Sequence, residues 1–511
     1  MTRPAPGLAA QASRALLWNL ALIPLQAVVA LAASAIVARR LAVEHYALYG
    51  LAMAALTSLL LWSDLGLMPT VSRYTPVLRA AGATVLRRFL WQVSAARLSA
   101  LAVAILAFAL AWRLPAVRRM LPLEGPGLAL LLAALAAQGV ARLHEYFLSG
   151  LLERRSVGLI RIGVGLAHPL LVIAAVTAGY GVNGILAAVC AASVLDVALF
   201  TRAAVRRTHP AFAPKVPEAA LPSDLRSRAA RFAAVSYVEK LASHLNSAGF
   251  IIFLVAALAT PADVAAFAVA GEFASRVIAV VSIPFAGLTL PLFASVEAQR
   301  PGETGTAARL YLTVMLLACL PAAALLSVLA EPLVALVYSE RYLAAAPILR
   351  AFVPFLFVEY AVYSALLSPL LTRGRYRAVL LSKLPMAAGL VAVVLVLPSA
   401  GTVGAAFAYG LARLASAAVL LHVGRKELGF RVPFAFAGKV ALASAVATGA
   451  AAVVLPLADG WAGLVLAGMS AGPAFFVAYR ATGGMDPADR ALVAQGAQGA
   501  PAFERIVTYL L

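Results

Sequence analysis

Glu239-Lys240-Leu241-Ala242-Ser243-His244-Leu245-Asn246-Ser247 interrupts an otherwise apolar run from Phe232 to Ala259. A run of that length reads as one membrane-spanning helix. On a helix Glu239, Ser243 and Asn246 share one stripe, and Lys240, His244 and Ser247 share the stripe beside it. An acid, a base and a histidine this close are costly in hydrocarbon. They belong on a bundle interior or a water-filled cavity, where they can handle polar cargo. The competing reading is a short loop outside the membrane. The rest of the chain decides between the two.

The 511 residues are 63% hydrophobic and 12% charged, and the mean hydropathy is +0.94. Soluble domains are not built that way. The apolar stretches are continuous and about 20 residues long, which excludes a period-two barrel. The predicted fold is therefore an all-α polytopic membrane protein of about 14 transmembrane helices. The spans read as 15–38, 46–68, 89–112, 126–150, 157–179, 181–201, 232–256, 264–291, 310–330, 344–371, 378–398, 401–422, 440–458 and 460–479. Arg3 and Arg14 precede an apolar stretch too long for a signal-peptide core, so the chain is expected to open on an uncleaved span. The two cysteines, Cys190 and Cys319, both fall in apolar stretches, so neither a disulfide nor a metal site is expected.

A formal net charge of +20 raises nucleic acid as a partner, but the distribution of the charge argues for a membrane instead. With a cytoplasmic N-terminus, the inner segments hold 27 Lys and Arg residues and the outer loops hold 6. That asymmetry places both termini in the cytoplasm. The tail from Arg480 to Leu511 is too polar to span.

Gly181-Val182-Asn183-Gly184-Ile185-Leu186-Ala187 recurs as Gly401-Thr402-Val403-Gly404-Ala405-Ala406-Phe407. Ser149-Gly150-Leu151-Leu152-Glu153-Arg154 matches Ser368-Pro369-Leu370-Leu371-Thr372-Arg373 at nearly the same offset. Six spans separate the copies, so the repeat is parallel, with its axis along the membrane normal. The expected domains are a lobe at 1–201, a Pro- and Arg-rich cytoplasmic linker at 202–231 and a second lobe at 232–425. Two extra spans at 426–479 and a cytoplasmic tail at 480–511 follow. At the repeat offset Asn19 maps onto Glu239 and Gln26 onto Asn246, so each lobe opens on a polar stripe, neutral in the first and charged in the second. The second lobe is expected to hold more of the charge chemistry.

Eight basic residues fall inside spans. Arg161, Lys383 and Arg350 lie near span ends, where their stems can snorkel to the interface. Arg97, Arg142, Lys240, Arg276 and Arg413 lie about 12–18 Å deep at 1.5 Å per residue, and need partners or a wet cavity. Glu272 and Arg276 stand at i, i+4, and Arg142 and Glu145 at i, i+3. Such pairs are either self-neutralised packing elements or the walls of a cavity that meets an anion. The candidate cargo contacts are Arg97, Arg142, Lys240, Arg276, Arg413, Asn19, Gln26 and Asn246. The candidate ion-coupling residues are Glu239, His244, Glu272 and Glu145. Asp196 and Glu359 have no partner within their own helices, and Asp64 reads equally as a helix-end residue and as part of a site. No Walker sequence, Rossmann glycine pattern or His/Cys cluster is present. The reading is a non-enzyme without cofactor.

Further motifs narrow the class. The N-terminal region reads Ala38-Arg39-Arg40-Leu41, then Tyr46-Ala47-Leu48-Tyr49-Gly50, Asp64-Leu65-Gly66-Leu67 and Ser72-Arg73-Tyr74. Later come Leu336-Val337-Tyr338-Ser339-Glu340-Arg341-Tyr342, Leu371-Thr372-Arg373-Gly374-Arg375-Tyr376 and the Gly401 segment. Over roughly residues 10–425 these resemble the polysaccharide (O-antigen and capsule repeat-unit) flippases of the multidrug/oligosaccharidyl-lipid/polysaccharide exporter superfamily. The resemblance implies two lobes alternating access to a central cavity in a bacterial cytoplasmic membrane. It implies an undecaprenyl-diphosphate-linked oligosaccharide as cargo, membrane lipid around it, and glycosyltransferases and a glycan polymerase as partners. A cation-coupled small-molecule exporter and a peptidoglycan-precursor flippase share the fold and are the alternatives.

Overall fold

A computed structural model describes residues 25–151, 153–211, 225–245, 247–299, 301–487 and 490. Lipid offers backbone amides no hydrogen-bond partners, so each spanning segment must satisfy its own. The described residues accordingly form helices and no strand. The first is α1, 25–40. There follow α2 (Val43–Trp62), α3 (Leu67–Ala81), α4 (Ala83–Ala111), α5 (Pro115–Met120), α6 (Gly125–Gly150), α7 (Arg154–Thr177), α8 (Gly181–Ala211) and α9 (Leu225–Leu245). Then come α10 (Ala248–Leu258), α11 (Pro261–Gln299), α12 (Thr304–Val328), α13 (Ala330–Val337), α14 (Ala345–Thr372), α15 (Tyr376–Leu381), α16 (Leu384–Leu428), α17 (Phe434–Val454) and α18 (Gly460–Ala481).

Eleven described segments are long and apolar enough to cross a membrane, or twelve with the bent pair α9–α10 taken as one span. One of the eleven, Tyr376–Leu428, contains two of the spans read from sequence. It breaks from helical geometry at Gly401 (φ 63°, ψ −167°), a conformation open to glycine because it lacks a Cβ. The first expected span, 15–38, lies partly outside the described residues. The protein is thus multi-pass and all-α, as its composition requires.

Two expectations change. Phe232–Ala259 is not one continuous helix: α9 and α10 meet at 47°. Ser247 caps α10, its Oγ accepting the Phe250 N–H at 3.2 Å. The segment expected as a linker at 202–231 is helical at both ends, since α8 runs to Ala211 and α9 starts at Leu225; 212–224 lie outside the described residues.

Packing groups the chain into two compact units, 29–268 and 269–511 together with 1–28. In the first, Met68 and Val71 of α3, Val93 of α4, Ala141, Phe147 and Leu148 of α6, and Phe200 of α8 form a shared apolar core. In the second, α14 packs on α12 and α16, and α17 pairs with α18 against α12. Ala447 and Ala451 of α17 meet Ala467 and Ala471 of α18. Small residues one turn apart let the two backbones approach closely, which is what drives helix association in lipid.

Candidate functional site

In the unit 29–268 the polar residues of α9 form a stripe that docks on α2 and α3. Ala233, Tyr237, Lys240 and His244 recur at helical spacing and so share one face. The Tyr237 hydroxyl donates to the Trp62 carbonyl at 3.1 Å. Lys240 Nζ donates to Asp64 Oδ2 at 3.0 Å, and His244 Nε2 lies 2.8 Å from Ser58 Oγ. At the base of the stripe, the Arg73 guanidinium stacks 4.4 Å from the Phe232 ring centroid.

The corner between α2 and α3 makes this docking possible. Leu65 and Gly66 both have positive φ, 51° and 68°. A Cβ on Gly66 would sit 1.9 Å from the Ala233 carbonyl oxygen, so α9 can lie this close only over a glycine. Asp64 is 5% exposed, and its Oδ1 accepts the Met68 N–H at 3.3 Å, which caps the start of α3. Of the two readings of Asp64, the helix-end one is met by this bond.

Lys240 binds this carboxylate, Arg97 feels its charge, and Arg142 acts on Arg97 in turn. Arg97 of α4 is 1% exposed. Its Nη2 donates to the Leu60 carbonyl at 3.3 Å, while Nε and Nη1 have no acceptor among the described residues. The charges of Asp64 and Arg142 both act on it. Lys240 lies 5.8 Å above the ring of Tyr146, which stands one turn beyond Arg142 on α6. Arg142 is exposed within the unit and has no hydrogen-bond or ion-pair partner among the described residues. The group carries a surplus of positive charge.

One neighbouring ion pair is neutral. Glu145, 7% exposed, pairs with Arg161 of α7. The expected Arg142–Glu145 pair is therefore not made, because Glu145 points toward α7 and Arg142 does not. Asp196, midway along α8, feels the charges of Glu145, Arg142 and Arg161 but has no hydrogen-bond partner among the described residues. Glu239, 9% exposed, accepts from Ser243 Oγ at 2.9 Å.

In the unit that begins at residue 269, two of the deep cations are paired with acids. Arg276 and Glu272 form the expected i, i+4 pair on α11, at 2.6 Å. Arg413 Nη1 of α16 donates to Glu359 Oε2 of α14 at 2.8 Å, and the guanidinium stacks 4.9 Å from the Tyr409 ring. Lys383 does not snorkel: it is 4% exposed and lies 4.0 Å above the Tyr363 ring. Of the cations around the α2–α3 corner, Arg97 and Arg142 belong to the first expected lobe, and Lys240, from the second, pairs with Asp64. Spacing within one helix does not register such interhelical partners. Gln26 is half-buried on α1. Asn19 and Asn246 lie outside the described residues.

Sequence reading passed over Ser58, Trp62 and Tyr146, which bind α9 through a hydroxyl, a backbone carbonyl and a ring face. The signal that pointed to this place was the Asp64-Leu65-Gly66-Leu67 motif. Residues 36–347 match a family model described as "Polysaccharide biosynthesis protein", more than half of the sequence. The chain belongs to that family. No curated protein matches it. Among solved structures, "Lipid II flippase MurJ, inward closed conformation" is 13% identical with a TM-score of 0.63, over 92% of this chain and 99% of that one. An inward-facing multidrug resistance MATE family transporter of the MOP superfamily is 16% identical with a TM-score of 0.59, over 82% and 98%. The Vibrio cholerae MATE transporter VcmN gives 15% and 0.51, over 82% and 97%. At such identities the likeness concerns the fold. The family resemblance read from the motifs and the all-α polytopic fold both stand.

Proposed function

We propose that this chain is a flippase that carries a lipid (undecaprenyl) diphosphate-linked oligosaccharide from the inner to the outer leaflet of a bacterial cytoplasmic membrane. Two lobes, 1–201 and 232–425, would alternate access to the cargo. The observation that carries the reading is that Arg97 and Arg142, beside the Lys240–Asp64 pair, have no ion-pair partner among the described residues. An unpaired arginine eight residues inside an apolar helix cannot be left facing lipid. Arg142 therefore fits a wet cavity, and an anionic group is what would complete the cluster. A diphosphate has the charge and the acceptor oxygens that guanidinium donors match. An inside-negative potential favours outward movement of an anion by ~2.3 kcal/mol per charge per 100 mV.

Glycosyltransferases would build the cargo on the cytoplasmic side, and a polymerase would consume it outside. Asp196 is the place for an ion-coupled step, since Glu145, Glu239, Glu272 and His244 are all engaged by neighbours. The test is a strain deprived of its own repeat-unit flippase. The wild-type chain restores surface polysaccharide, Arg142→Ala does not, and Arg142→Lys restores part of it at normal membrane abundance. Normal export by Arg142→Ala and Lys240→Ala alike would sink the site. A broad gain of drug resistance without any glycan export would sink the cargo.

A further inference from the structure

We propose that Asp64 is a counter-ion shared between two helices, held by Lys240 in this conformer and passed to Arg97 when Lys240 is drawn away. Its starting point is an imbalance. Arg97 is 1% exposed and Asp64 5% exposed, yet two of the Arg97 donor atoms have no acceptor among the described residues. A buried guanidinium in that state is under-satisfied, and removing charges from water is repaid only by good partners.

The geometry places the missing acceptor next door. Arg97 already reaches the carbonyl of Leu60. Leu60 lies in the last turn of α2, and Asp64 follows two residues beyond the end of that helix. The Asp64 charge acts on Arg97 across that short separation. Asp64 spends Oδ2 on Lys240 and Oδ1 on the Met68 amide. The carboxylate has further lone pairs to offer.

The two cations differ in their freedom. Arg97 is fully enclosed and tied to α2. The Lys240 side chain is 28% exposed, on a flexible four-carbon stem that turns readily toward another anion. Lys240 is thus the partner that leaves and Arg97 the one that waits. Losing Lys240 costs Asp64 an ion pair, and gaining Asp64 satisfies Arg97. A switch requires the two arrangements to be close in free energy, and each loses one partner of Asp64 while gaining another. What changes between them is the central tie of α9 to the α2–α3 corner, leaving only the Tyr237–Trp62 and His244–Ser58 bonds on either side. That an anion is what draws Lys240 off rests on the function proposed above; the sharing itself does not.

Thermal unfolding of the full-length protein in detergent separates sharing from an exclusive pair. In a Lys240→Met background an exclusive pair leaves Asp64 stranded, so Asp64→Asn is then neutral or stabilising. If the carboxylate is shared, Asp64→Asn still deprives Arg97 and lowers the melting temperature of Lys240→Met protein by about 5 °C. Asparagine keeps the acceptor for the Met68 amide, so the cap is not lost in the comparison. A neutral or stabilising Asp64→Asn in that background overturns the sharing. The trigger is read separately, from spin labels at Trp62→Cys and Val238→Cys in a Cys190→Ser, Cys319→Ala background. Inorganic pyrophosphate should lengthen this distance in otherwise unaltered protein and leave it unchanged in Lys240→Met. If the melting pattern holds and pyrophosphate changes nothing, the sharing stands and the anionic-cargo reading of Lys240 is overturned.

Discussion

At the level of single residues, the deep charges divide by whether their partner lies on the same helix. Glu272–Arg276 is legible in the sequence because four residues make one turn. Lys240–Asp64, Arg413–Glu359 and Arg161–Glu145 join separate helices, and no spacing rule announces them. Each deep basic residue was visible as an anomaly, but which were cancelled was not. The Arg413–Glu359 pair, with side chains 12% and 6% exposed, has a testable consequence. Glu359→Ala should destabilise the protein by about 3–5 kcal/mol, because it strands a buried guanidinium. The double change Glu359→Leu with Arg413→Met should recover most of that loss, since it removes both charges and keeps the volume. Chemical or thermal unfolding of the three proteins in one detergent gives the comparison. Equal losses for the single and double changes would mean that the pair itself stabilises the fold.

At the level of elements, α9 is less apolar than the spans around it, and it stays in place through its tie to the α2–α3 corner. Gly66→Ala should cost at least about 2 kcal/mol, from the positive φ and from the clash with the Ala233 carbonyl. Limited proteolysis should show faster cleavage in the segment before α9. Unchanged stability and cleavage would show that α9 is not seated on this corner. A second clasp closes the end of the other unit. Arg373 Nε donates to Glu297 at 3.0 Å and its Nη1 to the Glu427 carbonyl at 3.1 Å. Burial works against the charge of Glu297, but hydrogen bonds from Thr304 and Arg373 and the Arg373 charge outweigh it and hold its carboxyl below the ordinary value. The stabilisation is therefore full above the usual carboxylate range near ~4.3, and is lost as pH falls through the lowered value. Melting curves of wild-type and Glu297→Gln protein should differ at neutral pH and converge in strong acid. A difference that persists in acid would assign the clasp no ionic part.

For the whole molecule, composition and loop charge were enough to read a multi-pass helical bundle, because the bilayer permits so few alternatives. The Gly401 break falls where the sequence placed a span boundary, since the expected ends were already marked there by Pro398 and Gly401. The α9–α10 break was not legible: the apolar average over Phe232–Ala259 hides a local turn that a single serine cap creates. The loop charges also make a prediction about sidedness. An impermeant thiol reagent should label Arg119→Cys in intact cells from outside and Arg377→Cys only after the inner membrane is opened. The reverse pattern would invert the topology.

The seam of alanines between α17 and α18 bears on how the chain is made. The first of these helices, α17, packs on α12, yet it leaves the ribosome roughly a hundred residues after α12. At 5–20 residues per second, α12 waits about 5–20 s with that face turned toward lipid. Such a helix must be acceptable to the membrane on every side during its own synthesis, and Thr304–Val328 is, with a mean hydropathy of 2.1. The final two helices therefore exchange lipid for protein against a neighbour already inserted. Between themselves, the alanine seam lets α18 follow α17 without rearranging a longer side chain.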